Sequence, residues 1–201
     1  MTTHLLKQFL EHYHCFSEDE TAYILSNCFE RKYAKNDLIF KANEKIEFHV
    51  FINEGFACFE GSLDTDRSKV YGFRSDGMMG SGFFVERRDM HESISLLNFV
   101  CIENCETLIL PNSVTAHIMQ NFPNGERFVR FIAEDHINEL TQQLFDRDSK
   151  KLVEQYINLE RIFPKIHSRI PQYYIANYLG ITQEHLSRIR KKRFEREKNQ
   201  D

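Results

Sequence analysis

The sequence predicts an α+β chain: an antiparallel β body, a long helix behind it, and a helix-turn-helix near the C-terminal end. Three observations predict it. Short runs of β-branched and aromatic residues, separated by turn signals, fill Arg31 to Leu110. A helical apolar pattern continues from about Glu126 to Arg147. The segment Gln172 to Lys191 carries a small residue, a glycine and two aliphatic positions at the spacing of two helices meeting at a sharp turn. The chain has 201 residues, enough for one large domain or two small ones. Its 41% hydrophobic and 28% charged residues exclude disorder throughout. No apolar run approaches the roughly 20 residues of a membrane span. The opening MTTHLLKQFLEHYH lacks the cationic and apolar regions of an export leader, so a cytoplasmic protein is expected.

The N-terminal signals come first. Ser17-Glu18-Asp19-Glu20 fits a capping box and opens a short helix to Leu25. The runs 38–40, 49–52, 56–59, 70–73, 94–97, 99–102 and 107–110 read as strands of an antiparallel sandwich or roll. Asn36-Asp37, Gly55, Gly61, Asp64, Gly72 and Gly77 punctuate them. Asn53-Glu54-Gly55 reads as a tight hairpin with Gly55 at positive φ. Pro111 ends the strand region, and Asn112-Ser113 caps a short helix to Gln120. The break Phe122-Pro123-Asn124-Gly125 precedes the long helix.

On a 3.6 period, Val129, Ala133, Ile137, Leu140 and Leu144 share one face of that helix, and Phe128, Phe131 and Ile132 form a second patch nearly opposite. A helix apolar on two sides needs two partners. One is the β body; the other is a second copy of the same helix, which predicts a homodimer, or else burial between two layers of one chain. Asp148-Ser149 marks the next boundary, with Ser149 as N-cap. Leu152 to Leu159 resumes the helical pattern, and Phe163-Pro164 stops it.

In the C-terminal unit Pro171 suits a helix start. Ile175, Ala176 and Leu179 form the inner face of the first helix, and Gly180 ends it at positive φ. Ile181 plugs the corner, Thr182 caps the second helix, and Leu186 and Ile189 are its buried positions. A second helix of this kind offers its N-terminal side chains to base edges in the major groove. Here those are Gln183, Glu184, Ser187 and Arg188. Arg188 suits guanine O6/N7, and Glu184 suits cytosine N4. Gln172, Tyr173, Thr182, Arg190, Lys191 and Lys192 are the candidates for phosphate contact.

Charge supports a nucleic-acid-binding end. The whole chain is at −4, which speaks mildly against a wide basic surface. The last fifteen residues carry seven bases and three acids, whereas the first 186 carry 19 bases and 27 acids. The positive share therefore sits on and after the second helix.

An acidic β-rich body, a long helix and a C-terminal helix-turn-helix together resemble the CRP/FNR family of bacterial transcription regulators. The resemblance spans essentially the whole chain. Thr182-x-Glu184-x-x-Ser187-Arg188 resembles the recognition helix of the FNR branch, and FINEGFACFEG resembles the family's central hairpin. IANYLGITQEHLSRIRKK and the compact ending look most like versions from Bacteroidetes. The resemblance implies a cyclic-nucleotide-binding-like β-roll over 1–123, a connecting and dimerising helix over 124–147, and a winged-helix-like DNA-binding unit over 148–201. It implies double-stranded DNA, a second copy and RNA polymerase as partners. Few residues come after the recognition helix, which leaves little chain for a full wing.

The effector pocket implied by the family covers Gly80, Ser81, Gly82, Phe83, Arg87, Arg88, Glu92 and Ser93. Members that bind cyclic AMP carry Gly-Glu there, then further on Arg-Ser/Thr-Ala, whose arginine pairs with the phosphate. Here Gly80-Ser81-Gly82 lacks the glutamate, and Glu92-Ser93-Ile94 stands where the arginine belongs. An acid at that place repels the ligand, so cyclic AMP binding is expected to be weak or absent and the effector stays unassigned. The five cysteines lack the spacing of an iron–sulfur set, and free thiols in a reducing compartment are expected. His12-Tyr13-His14-Cys15 has no second ligand pair, so no metal site is assigned. The competing readings are a cyclic-nucleotide receptor module acting through a protein partner, and an enzyme on a roll-like body. No nucleophile-with-base pattern supports the latter.

Overall fold

A computed structural model describes residues 3–64, 67–80, 85–87 and 93–198; side-chain statements concern 3–62, 68–80 and 93–193. Two short helices, α1 (His4–His12) and α2 (Glu18–Ser26), lead into the strands. These are β1 (Phe29–Tyr33), β2 (Leu38–Phe40), β3 (Phe48–Glu54), β4 (Phe56–Asp64) and β5 (Arg67–Ser75). Next come β6 (Met78–Met79), β7 (Val85–Arg87), β8 (Ser93–Ser95), β9 (Asn98–Cys101) and β10 (Cys105–Pro111). The helices α3 (Asn112–Asn121), α4 (Gly125–Ser149), α5 (Leu152–Ile162), α6 (Ile166–Arg169), α7 (Gln172–Leu179) and α8 (Gln183–Lys198) complete the chain. Two four-stranded antiparallel sheets form, in the orders β1-β10-β3-β6 and β2-β9-β4-β5, with β7 and β8 paired apart.

The interior strands are short apolar runs because both of their faces are covered, whereas β1, at a sheet edge, is exposed. Side chains alternate across a strand. Val50, Ile52, Ala57, Phe59, Phe99, Cys101 and Ile109 therefore point into the space between the sheets. Phe51 and Leu108 point out of the first sheet onto α1, α2, α3 and the start of α4, where Leu6, Leu10, Ile24, Ile118 and Phe128 meet them. Phe56, Cys58, Val70, Phe73 and Val100 point out of the second sheet and are covered by α5 to α8. The apolar core thus runs without a break from the roll into the C-terminal helices, across the 147/148 position where composition suggests a boundary.

The capping box holds: the Ser17 hydroxyl accepts from Glu20 N, and the Glu20 carboxylate accepts from Ser17 N. Other expectations need correction. Gly55 has φ 128°, as a tight turn requires, but β3 and β4 do not pair with each other. Residues 53–55 form a corner by which the chain leaves one sheet for the other, its Gly55 N–H held by the Asp76 carboxylate at 2.7 Å. The FINEGFACFEG stretch is therefore not a hairpin. Ser149 is the last residue of α4, its hydroxyl donating to Phe145 O, and Lys151 is the N-cap of α5. The Asn112 amide donates to Ile46 O instead of capping α3. Among the described residues no strand comes after Pro111, and none of them forms a wing pair.

α4 is joined to the roll by a buried ion pair. Arg74, with 2% of its side chain exposed, meets both carboxylate oxygens of Glu139 at 3.0–3.1 Å and donates to Phe73 O and Met79 O. Burial, and then the Arg74 charge, hold the nearby His136 imidazole neutral down to about 3. An unfolded histidine takes its proton near 6.5. Between those values the unfolded state binds the extra proton, so stability present above pH 6.5 is lost as pH falls. The slope is at most about 1.4 kcal/mol per pH unit. It begins above the carboxylate range. Denaturant titrations should show it between pH 6.5 and 5 in the native chain, and a shallower slope in His136→Asn, where His49, also lowered by burial, still contributes.

Candidate nucleic-acid interface

The two C-terminal helices meet as their sequence requires. Tyr174, Ile175 and Ala176 are buried on α7, and Leu186 and Ile189 on α8. Gly180 takes φ 70°, and Gly180 N and Ile181 N close the helix end on Asn177 O and Ala176 O. Space around Gly180 is open apart from Lys69 Nζ, so the positive φ itself selects glycine here. Thr182 caps α8, its hydroxyl accepting from His185 N at 3.2 Å.

Burial of Leu186 and Ile189 fixes which face of α8 turns outward. Gln183, Glu184, Ser187, Arg188, Lys191 and Lys192 are all exposed on it. Glu184 is held below the usual carboxylate range by its own backbone N–H, then by the Thr182 hydroxyl, with Arg188 adding attraction. It is therefore ionised and acceptor-only at neutral pH. Gln172 and Tyr173 are exposed at the start of α7 beside its open N–H groups. Arg190 differs from the rest: it is half-buried and hydrogen-bonded to the Tyr156 hydroxyl.

A second set of contacts, with no local sequence signal, seats this unit on the roll. β5 is the last strand of its sheet, and its open edge is met by a side chain. The Asn177 amide donates to Ser68 O and accepts from Val70 N, both at 2.7 Å, which copies a strand's hydrogen-bonding pair. The Lys69 ammonium donates to the carbonyls of Asn177 and Tyr178, at the negative end of α7. Arg169 pairs with Asp76 and Glu103 from two roll corners, and the Asp76 hydrogen bond raises its pKa furthest. Phe163 packs between Phe56 and Phe73, with ring centroids at 5.5 and 6.0 Å. These contacts seat α7 on the roll.

At the expected effector region, Gly80 N donates to Val50 O at 2.8 Å. A Cβ on Gly80 would fall 2.6 Å from the Phe99 ring, which stacks on Phe59 with centroids 4.2 Å apart. Gly80 therefore packs directly against an aromatic pair inside the roll. Ser93 opens β8 and pairs with Arg87 of β7. Ser81, Gly82, Phe83, Arg88 and Glu92 lie outside the described residues. All five cysteines are buried and unbridged. No described helix is long and apolar enough to cross a membrane.

No family model matches the chain, and no curated protein matches it. Solved structures do. FixK2 from Bradyrhizobium japonicum superposes with a TM-score of 0.69 at 15% identity, covering 82% of this chain and 83% of that one. A Eubacterium rectale protein assigned to the CRP/FNR family of transcriptional regulators gives 0.64 at 15% identity, over 88% and 83%. The catabolite activator protein of Thermus thermophilus gives 0.54 at 15% identity, over 92% and 86%. The chain has their fold, a cyclic-nucleotide-binding-like β-roll followed by a helical C-terminal unit.

Proposed function

We propose that the chain is a CRP/FNR-type transcription regulator that binds a palindromic DNA site as a homodimer. The observation that carries this reading is α8: one face is buried by Leu186 and Ile189, and the other presents Gln183, Glu184, Ser187 and Arg188 to solvent. Residues 182–192 enter the major groove, and Arg188 and Glu184 read base edges. Gln172, Tyr173, Thr182, Lys191 and Lys192 meet phosphates. Residues 1–123 form the sensor body, 124–147 the connecting helix and 148–201 the reader. The roll takes an effector other than cyclic AMP held in the family's usual way, or none. The regulator acts in the cytoplasm on RNA polymerase.

The dimer is supported by α4. Phe128, Val129, Phe131 and Ile132 pack on the monomer's own helices. Ile137, Leu144 and Phe145 keep 62%, 53% and 61% of their surface exposed, too much apolar area along one helix for a solvated face. A second copy of α4 covers them. In sedimentation at micromolar concentration the native chain is expected to run as a dimer, and the Ile137→Glu/Leu144→Glu variant as a folded monomer. With it, affinity for a palindromic duplex should fall by orders of magnitude, because each half-site then binds alone. A native chain that stays monomeric with and without DNA contradicts the dimer.

A further inference from the structure

α5 packs against α8 around a single carboxylate. Glu160 keeps only 12% of its side chain exposed. Tyr156, 1% exposed, donates its hydroxyl to Glu160 Oε1 at 2.6 Å and is itself hydrogen-bonded by Arg190. Arg193 forms an ion pair with Glu160, and His167 Nδ1 of α6 lies 3.5 Å from Oε1. Three elements therefore converge on one group.

The arrangement divides the basic cluster of α8. Arg190 and Arg193 are three residues apart and so share one flank of the helix. Both turn inward to Tyr156 and Glu160, whereas Arg188, Lys191 and Lys192 face solvent. A carboxylate this buried needs a cation beside it, and removing either partner strands the other. Two arginines gripped on one flank also resist rotation of α8 about its axis. That rotation decides where the Glu184 and Arg188 side chains point.

We propose that Glu160 is a positioning residue of the recognition helix: it sets the helix's rotation and holds Arg193 directly, and Arg190 through Tyr156, away from DNA phosphates. This rests on the DNA-binding reading above. Those two arginines are consequently not phosphate contacts, unlike their neighbours at 191 and 192.

The test uses the full chain and a duplex that the native protein selects from a random pool. Affinity is measured for that duplex and for one with an altered half-site, across a salt series. Glu160→Gln keeps the shape and the Tyr156 hydrogen bond but removes the charge. Discrimination between the two duplexes should fall roughly tenfold, the size of one compromised bidentate contact. The salt slope should steepen by about one for each arginine released to a phosphate. Arg193→Met should lower discrimination while leaving the slope unchanged. Variants that match the native chain in discrimination and slope overturn the role of Glu160 alone. So does an Arg193→Met slope shallower by about one, which would make Arg193 a phosphate contact. A native chain that selects no duplex overturns the DNA-binding reading, and this role with it.

Discussion

Arg188→Ala is expected to weaken binding to the preferred duplex by about 1–3 kcal/mol, a loss of roughly 5- to 150-fold. Arg188 is exposed on α8, one turn beyond Glu184, on the face opposite the buried Leu186 and Ile189. Its planar guanidinium fits guanine O6 and N7 with two parallel hydrogen bonds. Losing them penalises the preferred base pair and spares the others, so the loss should be confined to one position of each half-site. The salt slope should barely move, since no phosphate contact is removed. Arg188→Lys should recover little, because a point charge cannot make the paired contact. The opposite pattern, equal weakening on every sequence with a slope shallower by about one, would place Arg188 on the backbone. Titration of duplexes substituted one base pair at a time distinguishes the two.

Phe163→Ala is expected to lower stability by about 3–5 kcal/mol, the usual cost of emptying a large aromatic site in a core. Phe163 is 5% exposed and sits where β4, β5 and the C-terminal helices meet. Its ring contacts Phe56 and Phe73 of the second sheet, and Arg169 reaches over Phe56 from the same side, 5.4 Å from the ring centre. The cavity would open between the roll and the reader. In denaturant the native chain should unfold in one transition seen alike by roll and reader probes, and the variant should shift that transition or split it in two. A cost under about 1 kcal/mol would mean that the two parts are barely joined there.

The features legible in the sequence are local ones. The turn at Gly180 requires a positive φ, the helices around it bury residues at a fixed spacing, and Thr182 caps α8; each depends on neighbours within a few positions. The capping box at Ser17 is of the same kind. α1 goes unread in the sequence although its signal is local: Leu6 and Leu10, four apart, are both buried. β1 is harder, because Phe29 to Lys32 are exposed on an edge strand and lack the apolar texture of the interior strands. The corner at Gly55 shows the limit most clearly. A glycine at positive φ between two apolar runs looks the same whether the runs pair or part, and only the distant strands β9 and β10 decide which.

The same limit hides much of the candidate site. Gln183, Glu184, Ser187 and Arg188 are legible because the buried positions of α8 fix its outer face. Lys69, Asn177 and Arg169 are not, because each acts on a partner far along the chain. Lys69 reads only as a polar strand residue, and Asn177 only as a tolerated polar position near a helix end. Arg190 shows the converse: charge alone groups it with Lys191 and Lys192, and only the fold of α5 places Tyr156 beside it.

Selection of bound duplexes from a random-sequence pool by the full native chain decides whether α8 reads DNA. The expected result is enrichment of an inverted repeat whose half-sites are centred about one helical turn, roughly 34 Å, apart, with a guanine in each half-site lost on Arg188→Ala. A pool that stays random after repeated rounds at physiological salt, while the protein remains folded, would contradict it.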